Sequence, residues 1–199
     1  MKLKYYLLEK RTNNVIIVDI QPMYKSHIYM NIDMFKFVNF LQEQKKLLYF
    51  YNGPETVGSD KKHDIIEWLM KCSDYSEILY NKLTRETIWC DKGYGFFRSW
   101  MDMGADEGFI KKAVRFMLDK KVNDSREINP EEWKENFPND WIYEFEYDNI
   151  YLPDIPINKL KQFSGSYIVG GGKNECLKEI KILISIFNIK YTEVKEFIY

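Results

Sequence analysis

The segment Val15-Ile-Ile-Val-Asp19 constrains the fold of this chain more than any other. Four successive β-branched residues without polar alternation indicate a strand that is buried on both faces, which is typical of a parallel sheet. Further strands are predicted at Leu47–Tyr51, 87–90, 166–169 and 190–197, with a short edge strand at 5–9. A strand that is buried on both faces needs helices on both sides, so the sequence predicts an α/β protein.

Helical periodicity separates these strands. Apolar residues recur at intervals of three and four over about 33–45, 64–71, 106–119 and 174–188. Strands that alternate with helices form parallel sheets, so we expect a three-layer sandwich with a mostly parallel central sheet, a Rossmann-like arrangement. The chain has 199 residues, of which 45% are hydrophobic, so we expect a single domain over residues 1–199.

Residues 121–157 interrupt this alternation and are interpreted as an insertion within the domain. The segment contains four prolines, two tryptophans and many acidic residues. One short helix is predicted at about 130–135, after an N-cap at Asn129. The aromatic residues of the segment are candidates for a partner surface, or for a second small core over the sheet: Trp133, Trp141, Tyr143, Phe145 and Tyr147. Phe96, Phe97 and Trp100, before the segment, are interpreted as core residues.

Charge and cysteine content argue against several classes of protein. The 29 basic and 30 acidic residues give a formal net charge of -1, which argues against a nucleic-acid partner. The three cysteines lack the spacing of a disulfide framework or a Cys-rich zinc site. No apolar segment reaches the roughly 18 residues of a membrane span, and the first residues do not resemble a signal peptide. We therefore expect a cytoplasmic protein without a membrane partner, in the host cytoplasm if the source is viral.

Three chemically useful groups are predicted at the ends of strands. Asp19 ends the first strand, Lys92 follows the third, and Gly170-Gly171-Gly172 joins the fourth strand to the helix that carries Cys176. Open α/β sheets bind ligands at the carboxyl ends of their strands, so we expect these groups to lie close together. A helix N-terminus and a nearby lysine lower the pKa of a thiol, and a carboxylate beside it can exchange the proton. The glycines could instead bind an anion with Lys173.

These segments resemble the isochorismatase-like cysteine hydrolases, the superfamily that includes the nicotinamidases. Its members begin with an apolar strand ending in Asp-x-Gln, similar to Val15-Ile-Ile-Val-Asp19-Ile-Gln21. They carry a lysine followed by aromatic residues, similar to Lys92-Gly-Tyr-Gly-Phe-Phe97. Their nucleophilic cysteine follows a glycine by six positions, as Cys176 follows Gly170, across a turn that often holds a cis peptide bond. The resemblance implies an isochorismatase-like fold and hydrolysis of a small amide, ester or enol ether.

The resemblance also implies a role for each site residue. Asp19 would be the general base, Cys176 the nucleophile and Lys92 the group that supports the thiolate and the substrate, with an oxyanion hole of backbone N–H groups before the cysteine. Polar and glycine residues nearby would bind the substrate: Gln21, Asn52, Gly170, Gly171, Gly172, Lys173 and Asn174. No cofactor is implied, and a zinc site is not expected, because the paired histidines of nicotinamidases are missing. Many members form homo-oligomers, so the resemblance is compatible with a homo-oligomer of this chain.

Two other functions fit the same sequence. A metal-dependent nuclease of the PIN or NYN type also begins with a strand ending in aspartate and gathers carboxylates around Mg²⁺ or Mn²⁺. The candidates for that site are Asp19, Asp91, Asp102, Asp124 and Glu175. The whole chain also resembles a group of uncharacterised proteins from large tailed phages, notably over 91–102, 123–126 and 170–179. That likeness fits a catalytically silent phage protein that uses the same fold to bind a host protein.

Overall fold

The centre of the protein is a sheet of five parallel strands. The structure is a computed structural model that describes residues 13–53, 60–93, 95–137 and 150–199. Its strands are β1 (Val15–Val18), β2 (Leu47–Tyr51), β3 (Ile88–Asp91), β4 (Ser166–Gly170) and β5 (Tyr191–Ile198), in the order β3-β2-β1-β4-β5. The predicted α/β class and parallel sheet are confirmed. The strand predicted at 5–9 lies outside the described residues.

Helices connect and flank these strands. The described ranges contain α1 (Lys25–Asn31), α2 (Met34–Glu43), α3 (Lys62–Cys72), α4 (Glu77–Asn81), α5 (Arg98–Asp102), α6 (Glu107–Lys120), α7 (Pro130–Asn136), α8 (Ile157–Lys161) and α9 (Cys176–Ile186). The four long predicted helices are α2, α3, α6 and α9. The short predicted helix is α7, which Asn129 caps by accepting the Glu131 N–H at 2.9 Å. In these same ranges no helix combines the length and the apolarity that crossing a membrane requires.

Two apolar cores cover the two faces of the sheet, because successive residues of a strand point to opposite faces. On one face, Ile16 and Val18 pack with buried side chains of α6 and α9. On the other face, Val15 and Ile17 pack with buried side chains of α2 and α3. All four β1 side chains are fully buried, which explains why this strand contains no polar residue. The helix–sheet–helix layering of the predicted sandwich is therefore present.

The described part of residues 121–157 belongs to the first of these cores. Trp133 and Phe137 are buried and stack on each other with ring centroids 4.3 Å apart, and Trp133 also contacts Trp100. Trp133 is therefore a core residue and not part of a partner surface. The other four aromatic candidates, Trp141, Tyr143, Phe145 and Tyr147, lie outside the described residues. The interpretation of Phe96, Phe97 and Trp100 as core is confirmed, since all three are fully buried.

The strand order creates a crevice at the carboxyl ends of β1 and β4. From β1 the chain moves outward to β2 and β3, and it then returns to the other side of β1 to form β4 and β5. The connections that leave β1 and β4 therefore run in opposite directions. Open α/β sheets bind ligands at such a point, where the order of the strands reverses.

Candidate active site

A buried ion pair lies at this crevice. Asp19 Oδ2 is 3.1 Å from Lys92 Nζ, and the exposed fractions of the two side chains are 2% and 0%. Asp19 directly follows β1 and Lys92 directly follows β3, so the parallel sheet brings both to the same edge. The Asp19 backbone has a φ of 54°, in the left-handed region that non-glycine residues adopt mainly where the surrounding structure requires it. The predicted proximity of Asp19 and Lys92 is thus present.

Gln21 and Asn52 hold Lys92 in place. Asn52 Oδ1 accepts a hydrogen bond from Lys92 Nζ at 2.5 Å. Gln21 Oε1 accepts the Asn52 N–H at 2.9 Å, and Gln21 Nε2 donates to the Asn52 carbonyl at 3.4 Å. Both side chains are buried, and neither lines the cleft described below. The structure therefore gives them a positioning role, and their predicted contact with a substrate stays a prediction.

Cys176 begins α9 and opens into a cleft of about 430 Å³ that Asp19 also lines. The turn before it is held by backbone hydrogen bonds, from the Leu177 N–H to the carbonyls of Gly171 and Gly172 at 3.1 Å. The Cys176 thiol interacts with the Asp19 carboxyl and with the Lys92 charge. The three groups that the sequence placed at strand ends therefore form one site, with Lys92 behind the cleft and Cys176 at its wall.

The cleft contains both predicted and unpredicted residues. Of the residues predicted to bind a substrate, Gly172, Lys173 and Asn174 line the cleft, whereas Gly170 and Gly171 lie just before the lining segment. Sequence reasoning did not find Tyr24, His27 and Tyr199, which also line the cleft, and assigned Glu175 only to a nuclease. The Tyr199 hydroxyl donates to the Asp19 carbonyl oxygen at 2.6 Å. No sequence motif marks these residues. Tyr199 in particular is far from Asp19 in the sequence, so only the folded chain brings the two together.

Glu179 is a second buried carboxylate in the site, and sequence reasoning also did not find it. It lies one turn after Cys176 in α9, and its side chain is fully buried. Its Oε1 accepts the Phe97 N–H at 2.9 Å, and Glu179 interacts electrostatically with Lys92. The available signal was a glutamate between Leu177 and Ile180, on the apolar face of a helix, where an ionisable residue is rare.

Burial and mutual charge set the protonation of the site. Burial raises the pKa of Asp19, while the Lys92 charge and the Cys176 thiol lower it. Burial lowers the pKa of Lys92, but the surrounding negative charges, Asp19 first, raise it by more. The net pKa lies above its usual value, so Lys92 stays an ammonium. Burial and the Asp19 charge raise the pKa of the Cys176 thiol to about 12, although Lys92 opposes them. The sequence predicted a lowered pKa for this thiol from its place at a helix N-terminus, and burial and the Asp19 charge shift the pKa in the opposite direction.

The five carboxylates considered for a nuclease do not assemble. Asp91 accepts the N–H groups of Gly53 and Gly93, both at 2.8 Å. Asp102 pairs with Arg98, and Asp124 pairs with Arg126. Within the described ranges, no three Asp, Glu, His or Cys side chains are grouped as metal ligands. Asp19 instead faces the ammonium of Lys92, so this arrangement gives the nuclease hypothesis no support.

Gly170 permits the close approach of β1 and β4 on which the site depends. Its φ is 118°, and a Cβ added there would lie 1.9 Å from the Val18 carbonyl oxygen. We expect Gly170→Ala to lower the free energy of unfolding by about 2–5 kcal/mol, because left-handed strain of about 1–2 kcal/mol adds to an overpacking cost of about 1–3 kcal/mol. Urea denaturation followed by circular dichroism measures this loss.

Gly104→Ala is the matched control for that prediction. Gly104 also has a positive φ, 99°, but an added Cβ would have no neighbour within 4 Å. We therefore expect only the strain, a loss of about 1–2 kcal/mol. Equal losses for the two variants would contradict the role assigned to the contact between Gly170 and Val18.

Comparisons of the chain with protein-family models, with curated proteins and with solved structures find no match. Between Gly170 and Cys176 no peptide bond is cis, whereas the superfamily that the sequence resembles often has one in this turn.

Proposed function

We propose that this protein is an isochorismatase-like cysteine hydrolase that cleaves small amides or esters with Cys176 as the nucleophile. The observation that carries the proposal is a cleft lined by a thiol and a buried carboxyl, with a buried ammonium behind it, Lys92 Nζ lying 3.1 Å from Asp19 Oδ2. Each group alone is common in proteins. Together they supply a nucleophile, a proton acceptor and a positive charge, which is what nucleophilic hydrolysis requires.

Asp19 is the proton acceptor in this proposal. Burial raises the pKa of its carboxyl, which makes it a stronger base than an exposed aspartate. Because the pKa of the Cys176 thiol is about 12, the proton leaves sulfur while the bond from sulfur to carbon forms, and not beforehand. Lys92 stays charged throughout and stabilises the negative charge on either group.

The chemical steps follow from these roles. Sulfur attacks the carbonyl carbon, its proton passes to Asp19, and the carbonyl oxygen takes the electron pair. The positive end of the α9 dipole, at which Cys176 lies, stabilises that oxyanion, since the Leu177 N–H already donates to Gly171 and Gly172. The tetrahedral intermediate expels the amine or alcohol, which takes the proton from Asp19 and leaves a thioester on Cys176. Water then attacks the thioester, its proton passes through Asp19 to the departing sulfur, and a carboxylic acid is released.

The cleft suits a small substrate. Its volume of about 430 Å³ falls within the usual range of small-molecule sites, about 300–1,000 Å³. Tyr24 and Tyr199 provide aromatic surface, and Lys173 and Asn174 provide hydrogen-bond donors near the reacting thiol. This lining favours a compact substrate with both an apolar and a polar part.

The test is a panel of small aryl amides and nitrophenyl esters, followed by product release and by mass spectrometry of the acid-quenched protein. We expect turnover of at least one substrate and an acyl group on the peptide that contains Cys176. Cys176→Ala should show neither. Cys72→Ala is the matched control and should retain both, because Cys72 lies in α3 and does not line the cleft. Equal rates for wild type and Cys176→Ala on every substrate, without an adduct, would refute the proposal.

A further inference from the structure

The proposed mechanism uses one buried carboxylate, yet the site holds two. Glu179 lies three residues after Cys176 in α9, and its side chain is fully buried. Oε1 accepts the Phe97 N–H at 2.9 Å, while Oε2 has no hydrogen-bond partner among the residues that the structure describes. A buried carboxylate oxygen without a partner costs free energy, so a neutral residue would serve better if Glu179 only filled space.

Gly95 leaves space beside the Glu179 carboxylate. A Cβ added to Gly95 would lie 2.5 Å from the Arg98 Cβ and 2.8 Å from Glu179 Oε1, so a larger residue there would clash with both side chains. The N–H of Phe97, two residues after Gly95, donates a hydrogen bond to the same oxygen and fixes its position. Glu179 is thereby held where it interacts with the charge of Lys92.

One buried ammonium consequently serves two carboxylates. Lys92 pairs directly with Asp19, and Glu179 interacts with it from α9. The other ionisable groups that interact with Glu179 are Asp19, Arg98, Cys176 and Tyr151. The Arg98 side chain binds Asp102 at 2.8 Å, which leaves Lys92 as the main positive charge near Glu179 in the described part of the chain.

We propose that Glu179 is a positioning residue that controls, through Lys92, how readily Cys176 loses its proton. The inference deepens the proposed hydrolase function and rests on it. When Glu179 is ionised, it competes for the charge of Lys92 and opposes negative charge on the sulfur. When Glu179 is protonated, the full charge of Lys92 is available to Asp19 and Cys176. Ionised Glu179 therefore hinders the loss of the Cys176 thiol proton, and protonation of Glu179 removes this hindrance.

Glu179 changes its protonation state near neutral pH. Burial raises the pKa of Glu179 to about 6, although Lys92 and the Phe97 N–H oppose the rise. Above that pH, Glu179 is ionised and its charge raises the pKa of the Cys176 thiol together with burial and Asp19. Below that pH, this contribution disappears.

The test compares alkylation of Cys176 in the wild type and in Glu179→Gln between pH 5 and 9, by peptide mass spectrometry. Alkylation follows the thiolate fraction, and removal of one nearby like charge lowers a pKa by about one unit, so the variant should react about tenfold faster above pH 6. Below pH 6 the two rates should converge, because the wild-type carboxyl is then neutral. A merely structural role for Glu179 would not produce this dependence on pH.

Glu193→Gln is the matched control, because it makes the same change at a partly exposed glutamate in β5 that pairs with Lys181. Its rate ratio to the wild type should stay near one at every pH. A ratio near one for Glu179→Gln at every pH would overturn the proposal. None of these measurements needs a substrate, so a failure here is distinct from a failure to find hydrolysis.

If Glu179→Gln does not fold, the wild type alone provides the test. The midpoint of the Glu179 carboxyl, from carbon NMR with labelled glutamate, should coincide with an inflection in the alkylation profile of Cys176. Cys72 should show no such inflection. Different midpoints for Glu179 and Cys176 would overturn the proposal.

Discussion

Lys92→Met is expected to lower the free energy of unfolding by about 3–5 kcal/mol at pH 8, because it leaves a buried carboxylate without its counter-ion. Asp19 loses the ammonium at 3.1 Å, and Asn52 loses the donor to its side-chain oxygen. Methionine is apolar and has nearly the length of lysine, so little of the loss arises from a cavity. Urea denaturation at several pH values measures it.

The pH dependence of that loss identifies its cause. Burial raises the pKa of Asp19, and Lys92 is the first influence that lowers it. Without Lys92 the folded-state pKa of Asp19 rises further above its unfolded value. A carboxyl with a raised folded-state pKa favours the folded state at low pH, and this contribution is lost as the pH rises through the folded pKa. The variant should therefore be closer to the wild type at pH 5 than at pH 8.

The double variant Asp19→Asn, Lys92→Met is the control for charge. Replacing both members of a buried ion pair is often nearly neutral for stability, and here it removes the uncompensated charge at Asp19. Glu179 still loses the ammonium with which it interacts, so a small part of the loss remains. We expect the double variant to lie within about 1–2 kcal/mol of the wild type, above the single variant Lys92→Met. If the double variant has the same free energy of unfolding as Lys92→Met, the loss arises from packing and not from charge.

The fold follows largely from patterns that burial imposes on the sequence. The continuous apolar run of β1 and the long amphipathic helices α2, α3, α6 and α9 could be predicted because each buries a whole face. The helices α1, α4, α5 and α8 were not predicted, since five to seven residues contain too little periodicity to recognise. The strand order was not predicted either, because no local pattern specifies on which side of β1 the chain returns.

The candidate site divides in the same way. Asp19, Lys92 and Cys176 could be predicted because each lies at the end of a strand or the start of a helix, and parallel strands bring such ends together. Tyr199 reaches the site through tertiary packing, which leaves no motif in the sequence. Glu179 did leave a signal, an ionisable residue on the apolar face of α9, but it was not recognised. The direction of the Cys176 pKa was wrong because the helix N-terminus was considered without the burial of the thiol.

Asp19→Asn is expected to change two properties of Cys176 in opposite directions. After burial, the Asp19 charge is the main influence that raises the pKa of the thiol. Its removal should lower that pKa and increase alkylation of Cys176 at pH 7 by about tenfold. Hydrolysis should instead fall by about 10²–10⁴-fold, because asparagine cannot accept the thiol proton or return it to the leaving group. Peptide alkylation and steady-state kinetics on the same preparation measure the two effects.

The opposite signs distinguish a proton acceptor from a residue that only maintains the site. If Asp19 were structural, asparagine would leave Cys176 misplaced, and alkylation would not increase while hydrolysis falls. Unchanged hydrolysis would assign the base to another group. Asp33→Asn is the matched control: Asp33 caps α2 by accepting the Lys36 N–H at 3.1 Å, and asparagine caps helices equally well. It should change neither rate, because its side chain is exposed and does not line the cleft.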